Sequence, residues 1–342
     1  MSTQRFPVGK LPAPVLAEVL GRLARTDASV VVGPGIGVDC AVLNTGDALL
    51  VCKTDPITFV TENLGHYLVQ VNANDLATTG AVPRWLMVTL LLPEAGADRA
   101  MVDSIMDQIA RACDRIGATL VGGHTEITHG IDRPLAVGCL LGEVAREALV
   151  TPRGARPGDR VLLTKGVPIE GTAIIASEFA DRLQGQLDQR ELETARDFLW
   201  HPGISIVRDA RVALDSGQVT AMHDPTEGGL LAALWELAQA SGRGLSVDLD
   251  AVPVPALSAK ICRALAIDPL ATIASGALLL SVAPGDSDAI RQALDAEGIP
   301  CADIGEVREG SARLEAIVAG GTEIVTPPER DEIASLFEAR GD

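Results

Sequence analysis

Apolar residues recur at helical spacing over residues 11–24, and short apolar stretches at 29–32, 40–43 and 48–53 are separated by glycine- and proline-bearing segments. This pattern predicts one helix and then three extended segments. Residues 67–79 predict a helix, 85–92 a buried strand, and 98–116 a strongly amphipathic helix that stops at Gly117. A short strand at 119–121 that ends in the acidic, glycine-rich turn GGHTEIT and a strand at 135–144 complete the first half. The segment TPRGARPGD, residues 151–159, holds two prolines and two glycines and has the composition of an exposed turn. It marks the boundary between domains expected at 1–150 and 151–342. Beyond it the pattern predicts a strand at 160–165, helices at 172–179, 186–198 and after Pro202, a strand at 219–222 and a helix at 230–240. Strand and helix recur without regular alternation, so the expected fold class is α+β in two domains.

At 342 residues the chain is long enough for two cores. The net charge of −18 has the wrong sign for tracking a phosphodiester backbone, and aromatics at 3% leave little to stack on bases. No nucleic-acid partner is expected. The six cysteines are dispersed and form no C-x-x-C pair, which fits buried free thiols in a reducing compartment rather than a zinc site or disulfide framework. The apolar runs are too short to span a bilayer and the start lacks the charged-then-apolar order of a signal peptide. A cytoplasmic location without membrane contact is the expectation.

The candidate chemistry lies in acidic residues set beside glycine or asparagine: Asp39 in GPGIGVDCAVL, Asp55 in KTDPITF, Asp75 in NANDLATTGAVPRW, Glu126 in GGHTEIT and Asp224 in HDPTEGGL. Carboxylates hold a hard cation such as Mg²⁺ together with phosphate oxygens, and glycines let backbone approach phosphate closely. Each segment alone has a plain structural alternative. Gly33, Gly35 and Gly37 match neither a dinucleotide fingerprint nor a P-loop and serve equally as a turn. Asp55 follows an apolar strand, where its carboxylate projects either as a ligand or as a turn or cap residue. Asn72, Asn74 and Asp75 are harder to explain as scaffold, because helix interiors disfavour Asn and Asp. Thr226 suits a helix cap, and His124 a hydrogen-bonded structural role. Five such segments in one chain suggest a magnesium–nucleotide site.

Read in order, these segments resemble the superfamily of aminoimidazole ribonucleotide synthetase, selenophosphate synthetase, thiamine-phosphate kinase and the hydrogenase maturation protein HypE. NDLATTGAVPR and DPTEGGL look most like the HypE-like branch. The resemblance implies an N-terminal α+β domain that binds ATP and pairs with its twin, so that two sheets form a barrel at a homodimer interface, and a C-terminal α/β domain. It implies that Asp39, Asp55 and Asp75 hold Mg²⁺ against the phosphates, with Glu126 taking a contact where the family has an acid and this chain has His124. Gly33, Gly35, Gly37, Asn74, Gly122, Gly123 and Thr125 are the implied nucleotide-binding residues, and Asp55, Asp75 and Asp224 the implied catalytic ones. The implied reaction moves the γ-phosphoryl group of ATP to an amide or carboxylate oxygen of a small-molecule or protein-bound acceptor. HypE ends in a carbamoyl-carrying cysteine, whereas this sequence ends LFEARGD with Cys301 as its last cysteine, so a carrier role is not expected. The competing expectation is a nucleotide-binding maturation or scaffold protein that works through a partner.

Overall fold

The computed structural model describes residues 11–21, 27–318 and 321–339. The end of the first expected helix and the last three residues lie outside the described residues. The chain falls into two units. One contains residues 27–33 and Asp39–Leu149; the other contains helix α1 (Ala13–Gly21), Pro34–Val38 and the chain from Val150 onward.

The N-terminal unit consists of β1 (Val30–Val32), β2 (Ala41–Asn44), β3 (Leu49–Ile57), α2 (Leu64–Ala77), β4 (Val82–Pro93), α3 (Arg99–Ile116), β5 (Thr119–Thr128) and β6 (Leu135–Val144). The strands form one sheet in the order β1-β2-β3-β6-β4-β5. β4 and β5 run parallel, as strands joined by a helical crossover must, and the other neighbours are antiparallel. The sheet is open within the chain and forms no closed barrel, with β1 and β5 as its edges among the described residues.

Helix α2 lies on one face of this sheet and is buried along its whole length. Its Leu64, Leu68 and Leu76 pack in the layer that also holds Leu49, Val51, Leu86, Leu90 and Leu140. Helix α3 follows the sequence expectation closely. Asp98 caps it by accepting a hydrogen bond from the Met101 N–H at 2.8 Å, and Gly117 closes it in the left-handed region at φ 72°.

Three expectations change. The 85–92 strand is not buried on both faces: within β4 Leu86, Val88, Leu90 and Leu92 point inward while Met87 is exposed. β3 continues through Asp55 and Pro56 instead of ending at residue 53, because β6 pairs with it as far as Ile57. GGHTEIT is not a turn at a strand end but the outer part of β5, paired to β4 from Gly122↔Met87 to Thr128↔Pro93.

The C-terminal unit continues with β7 (Arg160–Thr164), α4 (Ile169–Glu178), α5 (Gln189–Asp197), α6 (Val207–Ser216), β8 (Val219–His223), α7 (Gly229–Ser241) and β9 (Gly244–Asp248). It ends with α8 (Ala256–Leu265), β10 (Leu279–Val282), α9 (Ser287–Ala296), β11 (Cys301–Arg308), β12 (Arg313–Val318), β13 (Gly321–Val325) and α10 (Glu332–Glu338). Its sheet has the order β13-β12-β9-β11-β7-β10-β8. Within this sheet only β9 and β12 are parallel neighbours among its described strands, so this domain is α+β rather than the expected α/β. Leu230, Leu234 and Leu237 of α7 share a core with Val161, Leu163, Leu245, Val247 and Leu279 of the sheet. Among the described residues no helix is long and apolar enough to cross a membrane.

Candidate functional site

Alternation along β3 puts Leu49, Val51, Lys53, Asp55 and Ile57 on one side of the strand. That side faces α2, since Leu49 and Val51 belong to the layer under the helix. The apolar residues give way to a lysine and an aspartate where α2 presents Asn72 and Asp75, which lie three residues apart on one helical face. Asn72 joins helix to strand: its Oδ1 accepts the Asp55 N–H at 3.1 Å and its Nδ2 donates to the Leu68 carbonyl at 2.8 Å. A side chain on Gly138 of β6 would meet the Asn72 amide nitrogen at 2.6 Å, so the bare strand is what admits the asparagine.

Lys53 Nζ lies 2.6 Å from Asp75 Oδ2 and 3.2 Å from Asp55 Oδ2. The Asp75 side chain is 3% exposed and that of Asp55 30%, so the cluster opens to solvent on the Asp55 side. Burial works against the Lys53 charge, but Asp75, Asp55 and Asp39 more than offset it and raise the lysine above its ordinary value. Asp39, Asp55 and Asp75 are thus gathered electrostatically around one ammonium. Lys53 was absent from the residues expected from sequence.

The remaining expected residues are carried by several different elements. Asn74 is fully buried in α2, and its carbonyl accepts the Thr78 N–H at 3.1 Å. The row across the sheet from Asp55 reads Gly138, Val88, Gly123, so β5 lies three strand spacings from β3, roughly 14 Å. Within one chain Gly122, Gly123, Thr125 and Glu126 therefore stand apart from Lys53 and its aspartates. Gly123 is demanded by packing, since a Cβ there would sit 1.9 Å from the Val88 carbonyl oxygen. Gly122 has open space around it. Glu126 is exposed beside His124, with Oε2 3.4 Å from the imidazole Nε2.

The glycine loop is divided: Gly33 belongs to the N-terminal unit, Gly35 and Gly37 to the C-terminal one. Gly37 adopts φ 66°, and a Cβ there would be 2.5 Å from the Glu236 carbonyl oxygen of α7. Asp224 also belongs to the C-terminal unit. It follows β8 directly and is almost wholly buried, next to a His223 whose Nε2 is 2.9 Å from Glu236 Oε2. The cap of α7 is Gly228, not Thr226; the Thr226 carbonyl accepts the Gly229 N–H at 2.9 Å and so turns the chain into the helix. Two buried acids near this turn had no signal in the sequence: Asp331, whose Oδ2 accepts the Gly228 N–H at 2.6 Å, and Glu170, whose Oε2 accepts the Ser275 N–H at 3.2 Å.

Asp39, Asp55 and Asp75 bring three carboxylates to bear on the single charge of Lys53. Hard oxygen donors with a surplus of two charges fit a divalent cation of the magnesium type.

The sequence and the fold both have known relatives. Residues 37–144 match the AIR synthase related protein N-terminal domain and residues 156–316 its C-terminal domain. The carbamoyl dehydratase HypE of Cupriavidus necator is 30% identical over 274 residues, 77% of this chain and 74% of that protein. Among solved structures, a HypE–HypF complex gives a TM-score of 0.75 at 22% identity, covering 92% of this chain and 99% of the other. HypE in complex with ATP gives 0.67 at 22% identity, covering 93% and 91%. Domain content, fold and sequence similarity together make this chain a member of the AIR synthase-related superfamily, in its HypE-like branch.

Proposed function

We propose that the chain is an ATP- and magnesium-dependent enzyme that phosphorylates an amide or carboxylate oxygen of a small-molecule or protein-bound acceptor and so turns that oxygen into a leaving group. The observation that carries this reading is the convergence of Asp55 and Asp75 on Lys53, with Asp39 adding to the same field, in a chain similar to a HypE solved with ATP. Magnesium, when bound, supplies charge neutralisation at the phosphates. The protein's own part is position. Asn72 fixes the Asp55 backbone to α2, and the close packing of α2 on β3 fixes Asp75. Carboxylates held this way need little reorganisation when charge moves. Asp224 is assigned to the acceptor side.

The N-terminal domain is proposed to act as a homodimer. The sheet face away from α2 carries half-buried Leu50, Trp85 and Leu141 with exposed Met87, and the edge strand β5 exposes Val121 and Ile127. Exposed apolar side chains on a sheet face and on its open edge are usually covered. A second copy over it would bring β5, with Gly122, Gly123, Thr125 and Glu126, to a neighbouring nucleotide site. Light scattering should report a dimer for the wild type and a monomer for Met87→Glu combined with Val121→Glu; a dimer in both would remove this part of the reading. The free thiols fit a cytoplasmic setting.

The decisive experiment is calorimetric titration of MgATP into wild type and Asp55→Asn, with phosphate release followed on the same samples. Wild-type binding that weakens at least about tenfold in the variant supports the site. Absence of wild-type binding in the presence of magnesium would end the proposal.

A second reading, a nucleotide-dependent maturation protein acting through a partner, draws support from the similarity to HypE in complex with HypF. Cys301 does not offer a carrier thiol, since it starts β11 and burial pushes it up to about 12. Nucleotide-dependent association with little phosphate release would favour this second reading.

A further inference from the structure

An ammonium is an unusual neighbour for a set of magnesium ligands. Lys53 Nζ contacts one oxygen of Asp75 at 2.6 Å and one of Asp55 at 3.2 Å, and Asp39 adds to the same field. Asp75 is almost wholly buried, and a buried carboxylate needs a compensating cation close by. Lys53 supplies it from within the chain. Any soluble cation that binds these oxygens has to compete with a charge already attached to β3.

That competition differs for free magnesium and for magnesium carried on a nucleotide. Free Mg²⁺ must shed part of a tightly held water shell and must also leave the displaced ammonium without a partner. A magnesium–triphosphate brings its own anionic oxygens, to which a flexible lysine stem can turn. We propose that Lys53 is a built-in counter-ion that holds Asp55 and Asp75 in place until a metal–nucleotide complex displaces it, so that the metal enters together with the nucleotide. This rests on the reading of Asp39, Asp55 and Asp75 as metal ligands. Lys53 acts here as a positioning residue.

The test is titration of magnesium chloride, without nucleotide, into full-length wild type, Lys53→Met, Lys53→Gln and Lys53→Arg, beside thermal melts in EDTA and in magnesium. Removing the charge should tighten free Mg²⁺ binding at least about tenfold. Both neutral variants should melt lower than wild type in EDTA and recover in magnesium, while Lys53→Arg should stay close to wild type. Should Lys53→Met fail to fold in either buffer, the smaller polar change to Gln gives the same reading. Neutral variants that bind Mg²⁺ no more tightly than wild type, and melt alike in the two buffers, would overturn the counter-ion role. MgATP titrated into wild type separates the two levels: binding there with unchanged Mg²⁺ affinity in the variants removes only the role of Lys53, whereas no binding removes the site itself.

Discussion

Asp55 and Asp75 both touch Lys53, yet their burial differs enough that the same amide replacement has different consequences. Asp55→Asn disturbs a partly exposed pair and should cost less than about 1 kcal/mol of stability. Asp75→Asn leaves a largely buried ammonium short of its nearest partner and should cost on the order of 3 kcal/mol. Urea denaturation of the two variants checks this, and equal losses would show that burial does not set the difference. Lys53 was legible in principle, since LLVCKTDPI places residues 53 and 55 on one side of a strand. Pro56 removes a ladder donor and is disfavoured within a sheet. β3 tolerates it because β2 pairs only as far as Cys52, leaving one side of the strand open. The oddity of Asn72 in a helix was visible from sequence. Its task, anchoring the Asp55 N–H, depends on α2 lying over β3 and is a tertiary fact.

At the scale of elements, α3 was readable from end to end because cap, apolar stripe and stop glycine all agree. β5 was not. Paired glycines and an acid read as a turn, and the structure instead uses Gly123 to let β4 pass close by. Two adjacent glycines therefore have opposite tolerances. Gly123→Ala forces a Cβ against the Val88 carbonyl and should cost about 2 kcal/mol or more, whereas Gly122→Ala meets open space and should cost less than about 1 kcal/mol. Thermal melts of the two variants distinguish them, and equal melts would mean that the strands separate without penalty. The Thr226 cap was misread for a related reason: a Thr before two glycines resembles a capping residue, but Gly228 and Gly229 adopt the positive φ values that make the turn.

For the molecule as a whole, the two domains and their α+β character followed from the irregular order of strands and helices, while the antiparallel C-terminal sheet needed long-range pairings that no local pattern records. The buried acids of the C-terminal unit give it a distinct response to pH. Burial pushes Glu170 from an ordinary 4.5 up to about 7 and Asp331 from 3.8 up to about 7. Between the ordinary and the raised values the folded state keeps protons that the unfolded chain has released, so stability falls as pH rises through this window and levels off above it. Melting temperature should decline from pH 5 to pH 7, and Glu170→Gln should flatten part of that slope. A slope unchanged in the variant would assign the effect to other groups.

The division of the glycine loop also bears on how the protein is made. Residues 34–38 belong with α7, and Gly37 is fitted to the backbone at Glu236. As the chain leaves the ribosome the N-terminal sheet can close once β6 has emerged, but this short strap has to wait for α7. A truncated chain that stops before α7 will carry the strap without its seat. A chain begun at residue 150 will have the seat without the strap, so cutting at the domain boundary gives two unequal pieces, of which the first is the better candidate for independent folding.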